Sequence, residues 1–205
     1  MKYAYAALAL AAGAVATPAS EIVTRDPTPA SFKITNVVYG GSGCPQGSID
    51  IKWNDSRIFP INFSKEFTAK VGSKAEIVDS RKNCQINIKL DFEPGFSFAI
   101  FSADYSGWAD LDAGVTGTIK STYYFSGETE QSSAVSTLSG PVKGKYYKQD
   151  KVPVVRWSPC GDEALFNVNS EVALTPFATP ANGLLAATRE SGKFVNNLYF
   201  AWKKC

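Results

Sequence analysis

The sequence predicts an all-β fold, an antiparallel β-sandwich that is jelly-roll-like or, alternatively, a barrel, with disulfides stapling it. The first observation is the alternation of apolar and polar residues over Asn83–Phe92 (NCQINIKLDF), which returns over Phe166–Leu174. A period of two over ten residues is typical of a strand with one face on a core and the other in water. The second observation is that glycine and proline turns separate many short apolar segments, while helical periodicity is nearly absent.

The predicted strands follow one another with turn residues between them. The strand candidates are Phe32–Tyr39, Ser48–Trp53, Glu66–Val71, Asn83–Phe92, Phe96–Ala103, Val115–Phe125, Val152–Trp157, Phe166–Leu174 and Leu198–Trp202. The turn signals are Pro94-Gly95, Gly127, Gly140-Pro141, Pro159 and Asn182-Gly183, the last of which has hairpin chemistry. With 205 residues and no internal repeat, we expect one domain over residues 31–205, preceded by a flexible leader at 17–30.

The N-terminus has the pattern of a secretory signal peptide. Lys2 supplies a positive charge, residues 3–15 are apolar and alanine-rich, and Ala14-Val15-Ala16 forms a small-residue cleavage site. The apolar run is shorter than the roughly 20 residues that a membrane span needs. We therefore expect residues 1–16 to be removed and the mature chain to be secreted, without a membrane span and as a monomer.

The chain has four cysteines, an even number that predicts two disulfides in a secreted protein. Of the three possible pairings we expect Cys44–Cys84 and Cys160–Cys205, since each closes a loop within one half of the chain; the other two stay open. A zinc site is the weaker alternative, because no C-x-x-C spacing occurs.

The segment GGSGCPQGS (Gly40–Ser48) predicts a tight glycine turn that presents Cys44 to a neighbouring strand. A phosphate-cradling loop is the alternative, but the segment lacks the Lys-Ser/Thr ending and the following helix of such loops. Asn54 and Asn62 each begin an N-x-S triplet, and we expect both as glycosylation acceptors of a secreted chain.

A resemblance to a known family rests on several segments that occur in order. These are YGGSGCPQGS, NCQINIKLDFEPGFSFAI, YSGWADLDAG, YYFSG, SPCG and the terminal Trp202 and Cys205. Over residues 32–205 the chain resembles the secreted fungal proteins grouped as domain of unknown function 4360. The resemblance implies a small extracellular β-rich protein with paired cysteines, and it brings no catalytic residue.

The composition argues against most catalytic chemistry. The chain has no histidine, which excludes the usual Ser-His-Asp and Cys-His arrangements and histidine-based metal sites. The only methionine is Met1, which excludes copper ligation by a methionine thioether in the mature protein. Cysteines that are oxidised to disulfides cannot act as nucleophiles. We therefore expect a protein that is not an enzyme and has no cofactor and no metal ligands. A net charge of +2 without a basic stripe argues against a nucleic-acid partner.

Four residues of the segment SADYSGWADLDAG are the candidate ligand-binding residues: Tyr105, Trp108, Asp110 and Asp112. Trp108 is expected in an exposed loop, where its ring could stack on a sugar. Asp110 and Asp112 echo a calcium loop, but the pattern fails at Ser121, where an EF-hand has Glu. The segment KGKYYKQDK (Lys143–Lys151) could meet acidic polysaccharide, although a solvated loop is the preferred interpretation.

These observations favour a secreted, non-catalytic protein with a binding or structural role at the cell surface or wall, or toward a host. One alternative is a carbohydrate-active module, either a sugar-binding sandwich or a divergent hydrolase that uses carboxylates. The other is a host-directed effector that binds a protein. The expected partners are accordingly a cell-wall polysaccharide or a host protein.

Overall fold

The computed structural model describes residues 27–51, 57–154, 156–186 and 194–205. Several predicted features lie outside these residues. They are the signal peptide (1–16), the first part of the leader (17–26), Trp53 and Asn54. The strands are β1 Phe32–Gly40, β2 Ile49–Ile51, β3 Ile58–Phe63, β4 Thr68–Val71, β5 Arg81–Leu111, β6 Thr116–Phe125, β7 Ser132–Ser139, β8 Val142–Lys151, β9 Gly161–Thr175, β10 Gly183–Ala186 and β11 Phe194–Lys204. All pairings are antiparallel, which confirms the predicted fold class.

The long strand β5 belongs to two layers, because its partners change between Asp91 and Phe96. Residues 81–92 pair with β1 on one side and β9 on the other, and β9 continues through β6 to β7. We call these strands the first layer. Residues 96–111 pair with β11 and β8, and at their far end with β10. In addition, β3 pairs with β11, β2 pairs with β3, and β4 pairs with β10. We call residues 96–111 of β5 and all of these strands the second layer.

The apolar core lies between the two layers. Phe98 of the second layer has its ring 5.2 Å from Phe125 and 6.0 Å from Phe166, both in the first layer. It also lies 5.3 Å from Phe200 and 5.2 Å from Trp202 of its own layer. Because such centroid distances are those of packed aromatic pairs, the two layers contact each other face to face as a sandwich.

A cluster of polar side chains also joins the layers inside the core. The hydroxyls of Tyr105 and Tyr123 lie 3.1 Å apart, and Asn196 Nδ2 donates to Ser121 Oγ at 3.2 Å. Burial raises the pKa of both phenols, so both remain neutral. Tyr105 is 0% exposed. The prediction that Tyr105 binds a ligand is therefore wrong, because its ring is packed between the two layers and is not accessible.

Two disulfides have the predicted pairing. Cys44 is joined to Cys84 with Cα atoms 5.5 Å apart, and Cys160 to Cys205 with Cα atoms 6.1 Å apart. The first is buried in the core, whereas both cysteines of the second are exposed. The bridges tie the turn after β1 to β5, and the end of β11 to the start of β9.

The glycine-rich segment before β2 forms the predicted tight turn, which presents Cys44 to a neighbouring strand. Cys44 N donates to the carbonyl of Gly41 at 3.2 Å, closing a turn. Gly41 has φ of 154°, and a Cβ at this position would lie 2.3 Å from the backbone oxygen of Asn83. Only glycine permits this approach of two backbones, and the approach brings Cys44 to Cys84.

The prediction of a strand over Val152–Trp157 is wrong, since the described residues of this segment lie outside regular strands. Pro153 and Pro159 have no N–H to donate to a ladder. The segment instead attaches to β5 at separate points, where Val152 N donates to the carbonyl of Phe101 at 2.9 Å.

Three further predictions need correction. Residues 143–151 are not a solvated loop but strand β8, which pairs with β5 over ten residues. The sequence Pro94-Gly95 does not separate two strands, because β5 continues through it. Asn182-Gly183 is not a hairpin turn, since Gly183 begins β10 and β9 ends at Thr175.

Candidate functional site

The candidate site lies on the outer face of the second layer, and β5 forms its centre. Ala103, Tyr105 and Ala109 are each 0% exposed in the core. Because side chains alternate across a strand, the even-numbered residues next to them point to the outside. These are Asp104, Ser106, Trp108 and Asp110.

An irregularity at Phe101 sets this alternation. Before it, the even-numbered Phe98 and Ile100 face the core, whereas Ala103 and the odd-numbered residues do so after it. The pairing of β5 with β11 shifts register at the same place. An extra residue in one strand reverses which side chains face outward. Phe101 itself is 46% exposed.

The strand registers arrange the outer face in five rows that cross the sheet. From β10 and β4 at one end to β3 at the other, the rows are Lys70–Leu184–Asp110–Lys143, Thr68–Ala186–Trp108–Lys145, Asn62–Val195–Ser106–Tyr147, Pro60–Asn197–Asp104–Gln149 and Ile58–Tyr199–Ser102–Lys151. Successive rows are two residues apart along each strand. We use "outer face" below for this set of rows.

Asp104 lies between two tyrosines on this face. Asp104 is 4% exposed, and its Oδ2 accepts a hydrogen bond from the Tyr199 hydroxyl at 2.5 Å. This hydrogen bond, followed by burial, raises the pKa of Tyr199 to about 12. On the other side, hydrogen bonding to Asp104 is likewise the main cause that raises the pKa of Tyr147. Both phenols therefore stay protonated at neutral pH.

Two buried polar atoms of the outer face have no hydrogen-bond partner among the described residues. One is Asp104 Oδ1 and the other is Trp108 Nε1. Polar atoms buried without a partner are uncommon, because each loses its interactions with water without compensation. Asp104 provides an acceptor and Trp108 a donor, four residues apart on the same strand.

Trp108 does not lie in an exposed loop, so that prediction is wrong. It is in the middle of β5, half-buried between the backbones of β8 and β10. Gly107 and the neighbouring aspartates predict a loop. In the structure this part of β5 pairs with β8 on one side and β10 on the other, and it is therefore a strand. Its side chain nevertheless reaches the outer face.

Asp110 and Asp112 line a groove of about 730 Å³ at one end of the outer face, together with Lys70, Lys74 and Asn182. Asp110 Oδ2 lies 3.0 Å from Lys143 Nζ. Asp112 Oδ2 accepts from the backbone N of Asn182 at 2.7 Å and from its Nδ2 at 3.2 Å. Within the described ranges, no group of three or more acidic, cysteine or histidine side chains is placed to hold a metal ion.

Asn62, one of the two predicted glycosylation acceptors, lies on β3 at the margin of the outer face. It is half-buried, and its Nδ2 donates to the carbonyl of Asp50 at 3.2 Å. Its modification stays a prediction.

No pattern in the sequence singles out Tyr199, whereas Tyr147 lies in the segment Lys143–Lys151, for which contact with acidic polysaccharide is one interpretation. Tyr147 is 62% exposed on β8, in the segment that was expected to be a loop. Tyr199 alternates with the core residues Leu198 and Phe200 on β11, and that alternation could have marked it as outward-facing. Their meeting at Asp104 depends on pairing between distant strands.

Two comparisons place the chain in a family. Residues 30–205 match the model of a domain of unknown function, DUF4360. A relative from Arthroderma benhamiae, described as an uncharacterized secreted protein, is 39% identical over 181 residues, which cover 87% of this chain and 74% of the relative. The protein is secreted. Nowhere in the described ranges is there a helix with the length and apolar character to cross a membrane.

Two solved structures show a remote similarity. One is the carbohydrate-binding module TmCBM61 in complex with β-1,4-galactotriose, with a TM-score of 0.27 and 9% identity, covering 83% of this chain and 90% of the module. The other is the enzymatically active domain of tailspike protein 4 of bacteriophage CBA120, with a TM-score of 0.24 and 14% identity, covering 83% of this chain and 20% of the other. Similarity at this level carries no argument about ligands. By the family model and the relative, the chain belongs to the DUF4360 family of proteins with a domain of unknown function.

Proposed function

We propose that this secreted protein is a non-catalytic carbohydrate-binding protein that holds a polysaccharide on the outer face of its second layer. The observation that carries the proposal is the arrangement of Tyr147 and Tyr199 on either side of Asp104. Tyr147, which is 62% exposed, adjoins a buried carboxylate that hydrogen-bonds to the hydroxyls of both tyrosines.

The chemistry of this arrangement suits a sugar. A sugar ring has apolar C–H groups on its faces and hydroxyls around its rim. A tyrosine offers an apolar ring face with a polar tip, which complements both parts. Asp104 is buried, so its part is to hold the tyrosine hydroxyls in place, while the exposed Tyr147 contacts the sugar.

The dimensions of the outer face suit a polymer more than a single sugar. From Ser102 to Asp110, β5 advances eight residues, which is about 26 Å at about 3.3 Å per residue. A chain of sugar units could therefore contact several rows at once.

The proposal is non-catalytic because the acids on this face have other partners. Glycoside hydrolysis needs two carboxyl groups on opposite sides of the scissile bond. Asp110 is paired with Lys143, and Asp112 is bound by Asn182. Among the described residues, Asp104 interacts with the hydroxyls of Tyr199 and Tyr147.

The test is binding of the purified protein to a panel of cell-wall polysaccharides, measured by depletion from solution and by calorimetry. Tyr147→Ala should weaken binding about tenfold, the effect of losing about 1.4 kcal/mol of ring contact. The matched control is Tyr124→Ala on the first layer, which should bind like the wild type. Equal loss in both variants, or retention on no polysaccharide, would overturn the proposal.

A second arm tests the absence of catalysis. The same polysaccharides are incubated with the protein, and reducing ends are counted. We expect no release above that of heat-inactivated protein. Release that disappears in Asp110→Asn would show a hydrolase and contradict the non-catalytic part of the proposal.

A further inference from the structure

Resting on the proposed carbohydrate function, we infer that the polysaccharide is a polyanion carrying carboxylates, and that lysines along the outer face contact these groups. The inference names the chemical class of the ligand, which the tyrosine pair alone does not. It rests on where the lysines lie and on which charges of this face are already neutralised.

The lysines lie on the same face as the aromatic residues. On β8, Lys143, Lys145 and Lys151 are separated by even numbers of residues from Tyr147, and all four are exposed. Even spacing puts side chains on one face of a strand. Lys70 of β4 shares a row with Asp110 and Lys143 at the opposite margin, so lysines border the face on two sides.

The acids of this region have partners within the chain. Asp110 forms an ion pair with Lys143 at 3.0 Å, and Asp112 accepts two hydrogen bonds from Asn182. Asp104 accepts from a tyrosine hydroxyl and is 4% exposed. Burial and pairing reduce the negative potential that these carboxylates present to a ligand.

Three lysines of the same region are not held in salt bridges to any described residue, although the charge of Lys70, after hydrogen bonding to Lys82, contributes to lowering the pKa of Asp79. Lys70, Lys74 and Lys151 form no ion pair in the part of the chain that the structure describes. Lys70 and Lys74 line the groove at one end of the outer face, and Lys151 lies at the other end. The groove also holds Asp79, Asp110 and Asp112, which are bound by Lys82, Lys143 and Asn182 respectively. The charges that remain without a salt bridge within the described ranges include those of Lys70, Lys74 and Lys151, and these complement an anion.

The spacing of the lysines favours a repeating anion over a single one. Lys70 and Lys151 lie in the first and the last of the five rows, which are eight residues or about 26 Å apart along β5. One phosphate or carboxylate cannot reach both ends. A polymer with a carboxylate on each sugar can, and its rings would cross the tyrosines between the lysines.

Edge protection is the competing explanation for these lysines. Among the described strands, β8 pairs only with β5, and lysines on an edge strand prevent pairing between molecules. That explanation predicts that removing the lysines promotes self-association and leaves ligand affinity unchanged. The inference predicts a loss of affinity without self-association.

The experiment uses polygalacturonate, its methyl ester and alginate. The ester retains the sugar backbone and lacks the charges. We expect binding to both acidic polymers, at least tenfold weaker binding to the ester, and weaker binding to the acids when NaCl rises from about 50 to about 300 mM. Lys70→Gln with Lys151→Gln should weaken binding to polygalacturonate about fivefold.

The control replaces the same number of charges on the other layer, Lys33→Gln with Lys120→Gln, and should bind like the wild type. Equal binding to polygalacturonate and its ester would overturn the inference and leave the proposed function standing. Binding to a neutral polysaccharide without binding to either acid would do the same. Retention on no polysaccharide would overturn both. Size-exclusion chromatography of the lysine variants shows whether edge protection accounts for the lysines instead.

Discussion

The interaction between Asp104 and its tyrosines can be tested by replacing Asp104 with asparagine. Hydrogen bonding to the carboxylate is the main cause that raises the pKa of Tyr199 from 10.0 to about 12, and burial is the second. Asparagine has nearly the same shape but no charge. Because a phenolate beside a neutral amide is not repelled, Asp104→Asn should move the pKa of Tyr199 most of the way back toward 10. The pKa of Tyr147 should fall as well, since its largest cause is the same carboxylate.

The assay is a pH titration of protein labelled with ¹³C at the tyrosine ring carbon that bears the hydroxyl, followed by NMR. Tyr199→Phe and Tyr147→Phe assign the two signals. Tyr146 is the internal control, because burial alone raises its pKa and Asp104→Asn should leave it unchanged. An unchanged pKa of Tyr199 in Asp104→Asn would refute the contact on which the site is built.

The same substitution should change the alkaline stability of the protein. A phenol whose pKa is raised in the folded state contributes stability that is fully present below the unfolded pKa and is lost as pH rises through the folded pKa. For Tyr199 this window runs from 10.0 to about 12. We therefore expect the wild type to lose unfolding free energy across this window, and Asp104→Asn to lose less. Urea unfolding at several alkaline pH values measures both slopes, and parallel slopes would contradict the assignment.

Three further predictions concern the fold. Phe98→Ala should lower the unfolding free energy by about 3–5 kcal/mol, because its ring contacts both layers; a loss below about 1 kcal/mol in urea unfolding would show that Phe98 does not link them. Replacing Cys44 and Cys84 with serine opens a loop with a separation of 40 residues and should cost about 4 kcal/mol in the same assay; unchanged stability would show that this bridge is dispensable. Gly41→Ala should cost at least about 2 kcal/mol, since the new Cβ would lie 2.3 Å from a backbone oxygen of β5. Gly40→Ala meets no atom within 4 Å and is the control, and equal effects of the two would refute the argument from close approach.

Local patterns in the sequence predict most of the first layer. The alternation of Asn83–Phe92 indicates one apolar face, and Ile86, Ile88 and Leu90 are each 0% exposed. The cysteine count and the glycine turn together indicate the bridge at Cys44. These features depend on neighbours within a few residues, which periodicity and turn chemistry describe well.

The second layer depends on features that periodicity does not contain. The irregularity at Phe101 reverses the alternation, so Tyr105 faces inward although its neighbourhood resembles a polar loop. Pro153 lies in an apolar segment whose composition is typical of a strand. The proline itself has no backbone N–H to donate to a neighbouring strand. The segment of Tyr147 resembles a solvated loop because three of its four lysines, Lys143, Lys145 and Lys151, lie on the exposed side of an edge strand.

The candidate site could be predicted only in part for the same reason. Trp108, Asp110 and Asp112 were selected because they are close in sequence. Tyr199 reaches Asp104 across a separation of 95 residues, through pairing of β11 with β5. No local rule gives that contact, because it follows from the topology of the sheet.

The outer face, and no other surface of the protein, is proposed to bind the polysaccharide. The most direct measurement is an amide NMR titration of ¹⁵N-labelled protein with soluble oligogalacturonate. We predict that the largest shift changes fall in residues 104–110 of β5, 145–149 of β8 and 197–199 of β11, while β6 and β9 change little. Changes centred on β6 and β9, or no saturable change at all, would contradict it.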